Sequence, residues 1–110
     1  MTETERPCKE GILDKAKQII TGARNEAYGD PKDSFKRIAL FWSVYLRCEL
    51  SPEDVANMMM LLKVSRQKTG AGSIDNFVDL AGYAALGGEL YMDNAHIRAR
   101  YERTAEETHD

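Results

Sequence analysis

Apolar residues recur along the chain at three- and four-residue spacing, and nowhere alternate strictly with polar ones. From Gly11 to about Tyr28, the residues Ile12, Leu13, Ala16, Ile19, Ile20 and Ala23 share one face of a helix. Gly29 stops it, and Asp30 before Pro31 reads as an N-cap followed by a first-turn proline. The second helix runs from Pro31 to about Cys48, with Phe35, Ile38, Ala39, Trp42, Tyr45 and Leu46 facing inward. The third opens at Ser51-Pro52-Glu53-Asp54: a hydroxyl cap, a proline, and acids placed favourably for the helix dipole. It carries Val55, Met58, Met59 and Leu62 on one face and ends at Gly70-Ala71-Gly72.

Ser73 caps the fourth helix, which Phe77, Val78, Leu80, Ala81, Ala84, Ala85, Leu86 and Leu90 surround almost completely. A helix apolar all round is expected at the centre of a bundle. Gly82, Gly87 and Gly88 each weaken it by about 1 kcal/mol relative to alanine. They are expected where neighbouring backbones approach closely, or where the helix kinks.

No hairpin signal competes with these helices. The expected fold is all-α, an antiparallel four-helix bundle-like domain over residues 10–92. A disordered lead-in is expected over residues 1–9. A charged C-terminal extension, helical or frayed, is expected over 93–110, where Ile97 and Tyr101 stand four apart.

With 110 residues the chain is long enough for one domain with a modest core. Its 43% hydrophobic and 30% charged residues are a globular mixture. A net charge of −3 argues against duplex nucleic acid as a partner, since that affinity needs a basic footprint. It leaves room for a small phosphate-bearing ligand held by a few cations. Cys8 and Cys48 fit no CxxC pattern and are expected to be free thiols in a reducing compartment. The polar start lacks the apolar stretch of a signal peptide, and no run approaches the roughly 18 apolar residues of a membrane span. The cytoplasm is the expected location, with no membrane partner. His96 and His109 lie in the polar tail and make no zinc pattern.

The informative residues are charges in apolar surroundings. Projected at about 100° per residue, Asp79 falls between Leu86 and Leu90, beside Tyr83, with Asp75 one turn earlier. On the third helix, Arg66 projects among Val55, Met59 and Leu62, and Lys63 flanks that face. Antiparallel packing of these two helices would bring Lys63 and Arg66 near Asp75 and Asp79. One reading is an internal Arg66–Asp79 ion pair that fixes register. The other is a site where acids hold Mg²⁺ and cations hold phosphate. The corner from Asn25 to Asp30 is either a C-cap followed by an N-cap, or the rim of a nucleotide pocket with Tyr28 stacking on a base. Trp42 belongs to the core, and the run Met58-Met59-Met60 to adaptable core packing or a subunit interface.

Three segments between Ile12 and Leu90 carry a resemblance: ILDKAKQIITGARNEAYGDPKDSFKRIALFW, SPEDVANMMMLLKVSRQ and DNFVDLAGYAALGGEL. Together they resemble a small helical domain, without assigned function, that is common in bacteriophage genomes. The third and fourth helices more distantly resemble the MazG-like all-α nucleoside triphosphate pyrophosphohydrolases, whose EExxE and ExxD motifs bind Mg²⁺. Glu53-Asp54-Val55-Ala56-Asn57 stands where EExxE would be, and Asn76-Phe77-Val78-Asp79 where ExxD would be. Asn57 and Asn76 replace two glutamates of that pattern, with carbonyl oxygens but no negative charge.

This resemblance implies an acid cluster of Glu53, Asp54, Asp75 and Asp79 holding Mg²⁺ or Mn²⁺, with Asp54 and Asp79 catalytic. Lys63, Arg66 and Tyr28 would bind the substrate, a (deoxy)nucleoside triphosphate cleaved to monophosphate and pyrophosphate. It also implies a homo-oligomer, dimer or tetramer, encoded by a phage or prophage and working in the bacterial host. The alternatives are a non-catalytic phage-encoded helical interaction module and a nucleotide-binding protein without hydrolysis.

Overall fold

A computed structural model of the chain describes residues 8–22, 29–69, 72–93, 99–100 and 102–103. Four helices order the described residues up to Met92: α1 (Lys9–Thr21), α2 (Pro31–Leu46), α3 (Pro52–Lys68) and α4 (Ile74–Met92). Among the described residues there is no strand, so the fold is all-α and bundle-like. None of these helices is long and apolar enough to cross a membrane.

Local chemistry sets the helix starts. The Asp30 carboxylate accepts from the Lys32 backbone N–H at 2.9 Å, and Pro31 follows at the first position of α2. Ser51 and Asp54 form a reciprocal capping box. The Ser51 Oγ accepts from the Asp54 N–H at 3.0 Å, and the Asp54 carboxylate accepts from the Ser51 N–H at 2.9 Å. The Ser73 Oγ accepts from the Asp75 N–H at 3.1 Å. At α1 the cap is Cys8, whose Sγ accepts from the Gly11 N–H at 3.4 Å. The helix therefore starts at Lys9, earlier than Gly11, and takes the last residue of the expected lead-in.

The expected first helix to Tyr28 instead ends at Thr21, where Gly22 turns extended. The corner from Asn25 to Tyr28 lies outside the described residues, as do residues 1–7 and most of the C-terminal extension. Within that extension, residues 99–100 and 102–103 are helical.

The turn from α2 to α3 is organised by Ser43. Its hydroxyl donates to the Ala39 carbonyl at 2.6 Å and accepts from the Leu50 N–H at 2.9 Å. Arg47 takes the left-handed conformation there, with φ 55°.

α4 is the centre of the packing, lying mainly against α3 and then α1. Three contacts fix α3 and α4 as antiparallel. Ala56 meets Gly87, Lys63 meets Asp79, and Gln67 meets Asn76. α1 runs parallel to α4, with Lys15 beside Asp75 and Ile20 beside Gly82. The core joins Phe35 and Ala39 of α2, Val55 and Ala56 of α3, and Leu86 and Leu90 of α4. Ile38, Trp42 and Met59 pack on it, so the core role expected of Trp42 holds in part.

Several expectations about buried faces change, and Leu13, Met58 and Leu62 are exposed. Tyr45 and Leu46, expected inward, are 85% and 50% exposed, because α2 presents Phe35 and Ala39 to α3 and α4 instead. α4 is central but not enclosed. Phe77, Ala84, Ala85 and Gly88 lie on a side that no described helix covers.

Candidate functional site

A cavity of about 470 Å³ opens between α1, the start of α2, α3 and α4. Its size lies in the range of small-molecule sites. Ala16 and Ile20 of α1 and Val78 and Leu86 of α4 supply apolar wall. Phe35 and Tyr83 stack at one side, their ring centroids 6.0 Å apart and planes inclined by 28°. Gly82 allows the close approach of α1, since a Cβ there would lie 3.3 Å from Ile20.

One ion pair lies in the cavity wall. Lys63 Nζ lies 2.9 Å from the Asp79 carboxylate, and both residues line the cavity. The Lys63 side chain is only 12% exposed and that of Asp79 32%. The lysine stem runs along apolar surface and delivers its ammonium to the cavity wall. An unpaired ammonium would be costly there, and Asp79 is the charge that offsets it.

Of the two cations expected near Asp79, Lys63 pairs with it, and the Arg66–Asp79 pair of the first reading does not form. Arg66 is exposed and pairs with no acid among the described residues. The reason is the face that α3 buries. Ala56, Lys63 and Gln67 point to α4, and Arg66 lies beside that stripe rather than within it. Asp75 is exposed and pairs with Lys15 of α1 at 3.4 Å, a contact whose partners are 57% and 67% exposed and which adds little stability.

Glu53 and Asp54 do not join Asp75 and Asp79. In the antiparallel register the start of α3 faces the end of α4. Glu53 accordingly lines a separate cleft of about 320 Å³ with Leu90, Tyr91 and Asp93. The nine residue steps from Asp54 to Lys63 span about 13 Å of helix axis. The Asp54 carboxylate is engaged in the capping box. Among the described residues no group of three or more His, Cys, Asp or Glu side chains is placed to hold a metal ion. Tyr28 lies outside the described residues.

Two polar contacts have no counterpart in the helical projection. Gln67 Oε1 accepts from Asn76 Nδ2 at 2.9 Å and from the Ser73 N–H at 3.2 Å, locking the α3–α4 corner. Lys32 lies 2.9 Å from Glu89 and 3.5 Å from Asp93, tying the start of α2 to the end of α4. The hydrogen bond to Glu89 and the charges of Glu89 and Asp93 hold its ammonium above the usual lysine range, although desolvation pulls the other way. The Phe35–Tyr83 stack was signalled by Phe35 on the inward face of α2 and by Tyr83 projecting beside Asp79.

Comparison with known proteins places the chain. The family model described as a domain of unknown function, DUF6378, matches residues 11–91, and the chain belongs to that family. The Gene 55 protein of Mycobacterium phage D29 is 46% identical over 84 residues, covering 76% of this chain and 56% of that protein. The Gene 55 protein of Mycobacterium phage L5 is 47% identical over 76 residues, covering 68% of this chain and 49% of that protein. The chain thus spans about half the length of the curated relatives it matches. No solved structure matches it.

Proposed function

We propose that this DUF6378 member binds a nucleotide in the cavity between α1 and α4, acting in the cytoplasm of the bacterial host. The observation that supports this most is the Lys63 ammonium, 12% exposed, at the wall of a cavity of ligand size that mixes polar and apolar surface. Such a wall suits a molecule with an anionic group on an aromatic body. A phosphate entering there competes with Asp79 for Lys63, and the base lies against the Phe35–Tyr83 side. The test is thermal stability of the full chain with a panel of nucleoside mono-, di- and triphosphates. A ligand that binds only the native state at about 100 times its Kd stabilises by about 2.7 kcal/mol. Lys63→Met should abolish the shift, and Lys15→Met should keep it. Absence of any shift in the wild type at millimolar nucleotide rejects the reading.

A second reading, a Mg²⁺- or Mn²⁺-dependent pyrophosphohydrolase, is favoured by one coincidence. Asp79 both lines the cavity and closes the segment that resembles ExxD. The acids of one chain do not suit the ion, however. Mg²⁺ requires near-octahedral oxygen coordination, and Glu53 and Asp54 stand at the opposite end of α3 from Lys63 and Asp79. This reading therefore rests on Asp79 and the sequence resemblance. Pyrophosphate release with either ion, measured for the wild type and for Asp79→Asn, decides it. Equal rates in the two proteins would remove hydrolysis and leave binding.

A further inference from the structure

The cavity between α1 and α4 carries a charge balance that limits what enters it. Among the described residues that line it, the only charged side chains are Lys63 and Asp79, whose charged groups lie 2.9 Å apart and cancel. An incoming anion therefore meets one cation, already shared with a carboxylate. The neighbouring cations lie elsewhere. Lys15 is outside the wall and held by Asp75 at 3.4 Å, and Arg66 is exposed beside the face that α3 turns to α4. Lys32 is engaged by Glu89 and Asp93 at the far end of α4.

Two uncharged polar side chains also line the cavity, Ser34 and Tyr83. Neither hydroxyl has a hydrogen-bond partner among the described residues. Ser34 precedes Phe35 in α2, and Tyr83 stacks on Phe35, so both hydroxyls flank the aromatic side. Asp79 and Tyr83 stand four residues apart on α4, about 6 Å along its axis. The charged spot and the aromatic stack are thus one helical turn apart, a span that one sugar ring bridges.

We propose that the cavity selects a nucleoside monophosphate over the di- and triphosphate, and does so by charge; this rests on the nucleotide reading of the same cavity. The single phosphate takes Lys63, the sugar spans the turn from Asp79 to Tyr83, and the Ser34 and Tyr83 hydroxyls bond the nucleoside. Each further phosphate adds negative charge and finds no cation of its own in the wall. Beyond Asp79, toward the start of α4, the next acid is Asp75, already on Lys15. Charges a few ångströms apart at a partly enclosed surface interact several times more strongly than in water, so Asp79 and Asp75 penalise the longer phosphate chain.

Titration calorimetry of the full chain tests this, with nucleosides of each common base and their mono-, di- and triphosphates, free of divalent metal. For the base that binds, the monophosphate should bind about tenfold or more tightly than the triphosphate at about 20 mM salt, and the ratio should shrink toward about 500 mM, where the charges are screened. Asp79→Asn should narrow the ratio by strengthening the triphosphate about fivefold. Ser34→Ala removes a contact to the nucleoside and should weaken mono- and triphosphate alike, by about fivefold. A triphosphate that binds as tightly as the monophosphate overturns the selection and leaves the nucleotide reading standing. A preference indifferent to both salt and Asp79→Asn overturns its basis in charge. A chain that binds no nucleotide at all removes the selection and the nucleotide reading together.

Discussion

Gly87 of α4 lies so close under Ala56 of α3 that a methyl group on it would stand 3.1 Å from the Ala56 Cβ. Both residues are buried, and this contact of two small residues sets how near the two helices come. Gly88, the next residue, has nothing within 4 Å of the place a Cβ would take. Opposite outcomes follow. Gly88→Ala should stabilise the chain by up to about 1 kcal/mol, because it gains helix propensity at no steric cost. Gly87→Leu should destabilise it by about 2 kcal/mol or more, through forced separation of α3 and α4. Urea denaturation of the two variants checks the contrast.

The Lys63–Asp79 pair should respond asymmetrically to loss of either partner. Asp79→Asn leaves an ammonium that is only 12% exposed without its counter-charge, while Lys63→Met leaves the more exposed carboxylate and keeps the apolar stem. Asp79→Asn should therefore cost about 2 kcal/mol and Lys63→Met nearer 1 kcal/mol. A double-mutant cycle in urea should give a coupling of about 1 kcal/mol. Zero coupling would mean that the 2.9 Å contact contributes nothing to stability.

Arg47 ends α2 in the left-handed region, at φ 55° and ψ 39°, where its Cβ is crowded. Its backbone N–H still donates into the last turn, at 3.4 Å from the Val44 carbonyl. Glycine serves the same cap without the crowding. Arg47→Gly should raise stability by about 0.5–1 kcal/mol, an unusual gain for a glycine substitution. The midpoint of thermal unfolding reads it directly, and a loss of stability would show that the Arg47 side chain contributes more than its backbone costs.

The helix starts were legible in the sequence because capping is local. Asp30-Pro31, Ser51-Pro52 and Ser73 each act within three residues, and each caps a helix where expected. Which charges meet was legible only in part. Weighting α3 by its large apolar residues placed Arg66 inward. The helix in fact turns Ala56 and Lys63 to α4, because the nearest approach runs through Ala56 and Gly87. Small residues mark such a contact weakly in any hydrophobic projection. The separation of Glu53 and Asp54 from Asp79 followed from register, which three contacts between α3 and α4 set and no local pattern announces. The outer face of α2 was hidden for a related reason. Leu40, Phe41 and Val44 extend an apolar surface whose outward half looks in sequence like more core.

Lys32 gives the chain a dependence on alkaline pH. Its ammonium is held above the ordinary value of 10.5, first by the hydrogen bond to Glu89 and also by the charges of Glu89 and Asp93. The folded chain thus binds this proton more tightly than the unfolded chain does. The resulting stabilisation is fully present below about pH 10.5 and disappears as pH rises through the higher folded value. The informative quantity is the difference between the wild type and Lys32→Met. That variant keeps most of the stem and removes the proton. At about pH 8 it should melt below the wild type, and toward about pH 12 the two curves should converge. A gap that stays constant across the whole range would show that the tie from α2 to the end of α4 stabilises through packing of the Lys32 stem rather than through its charge.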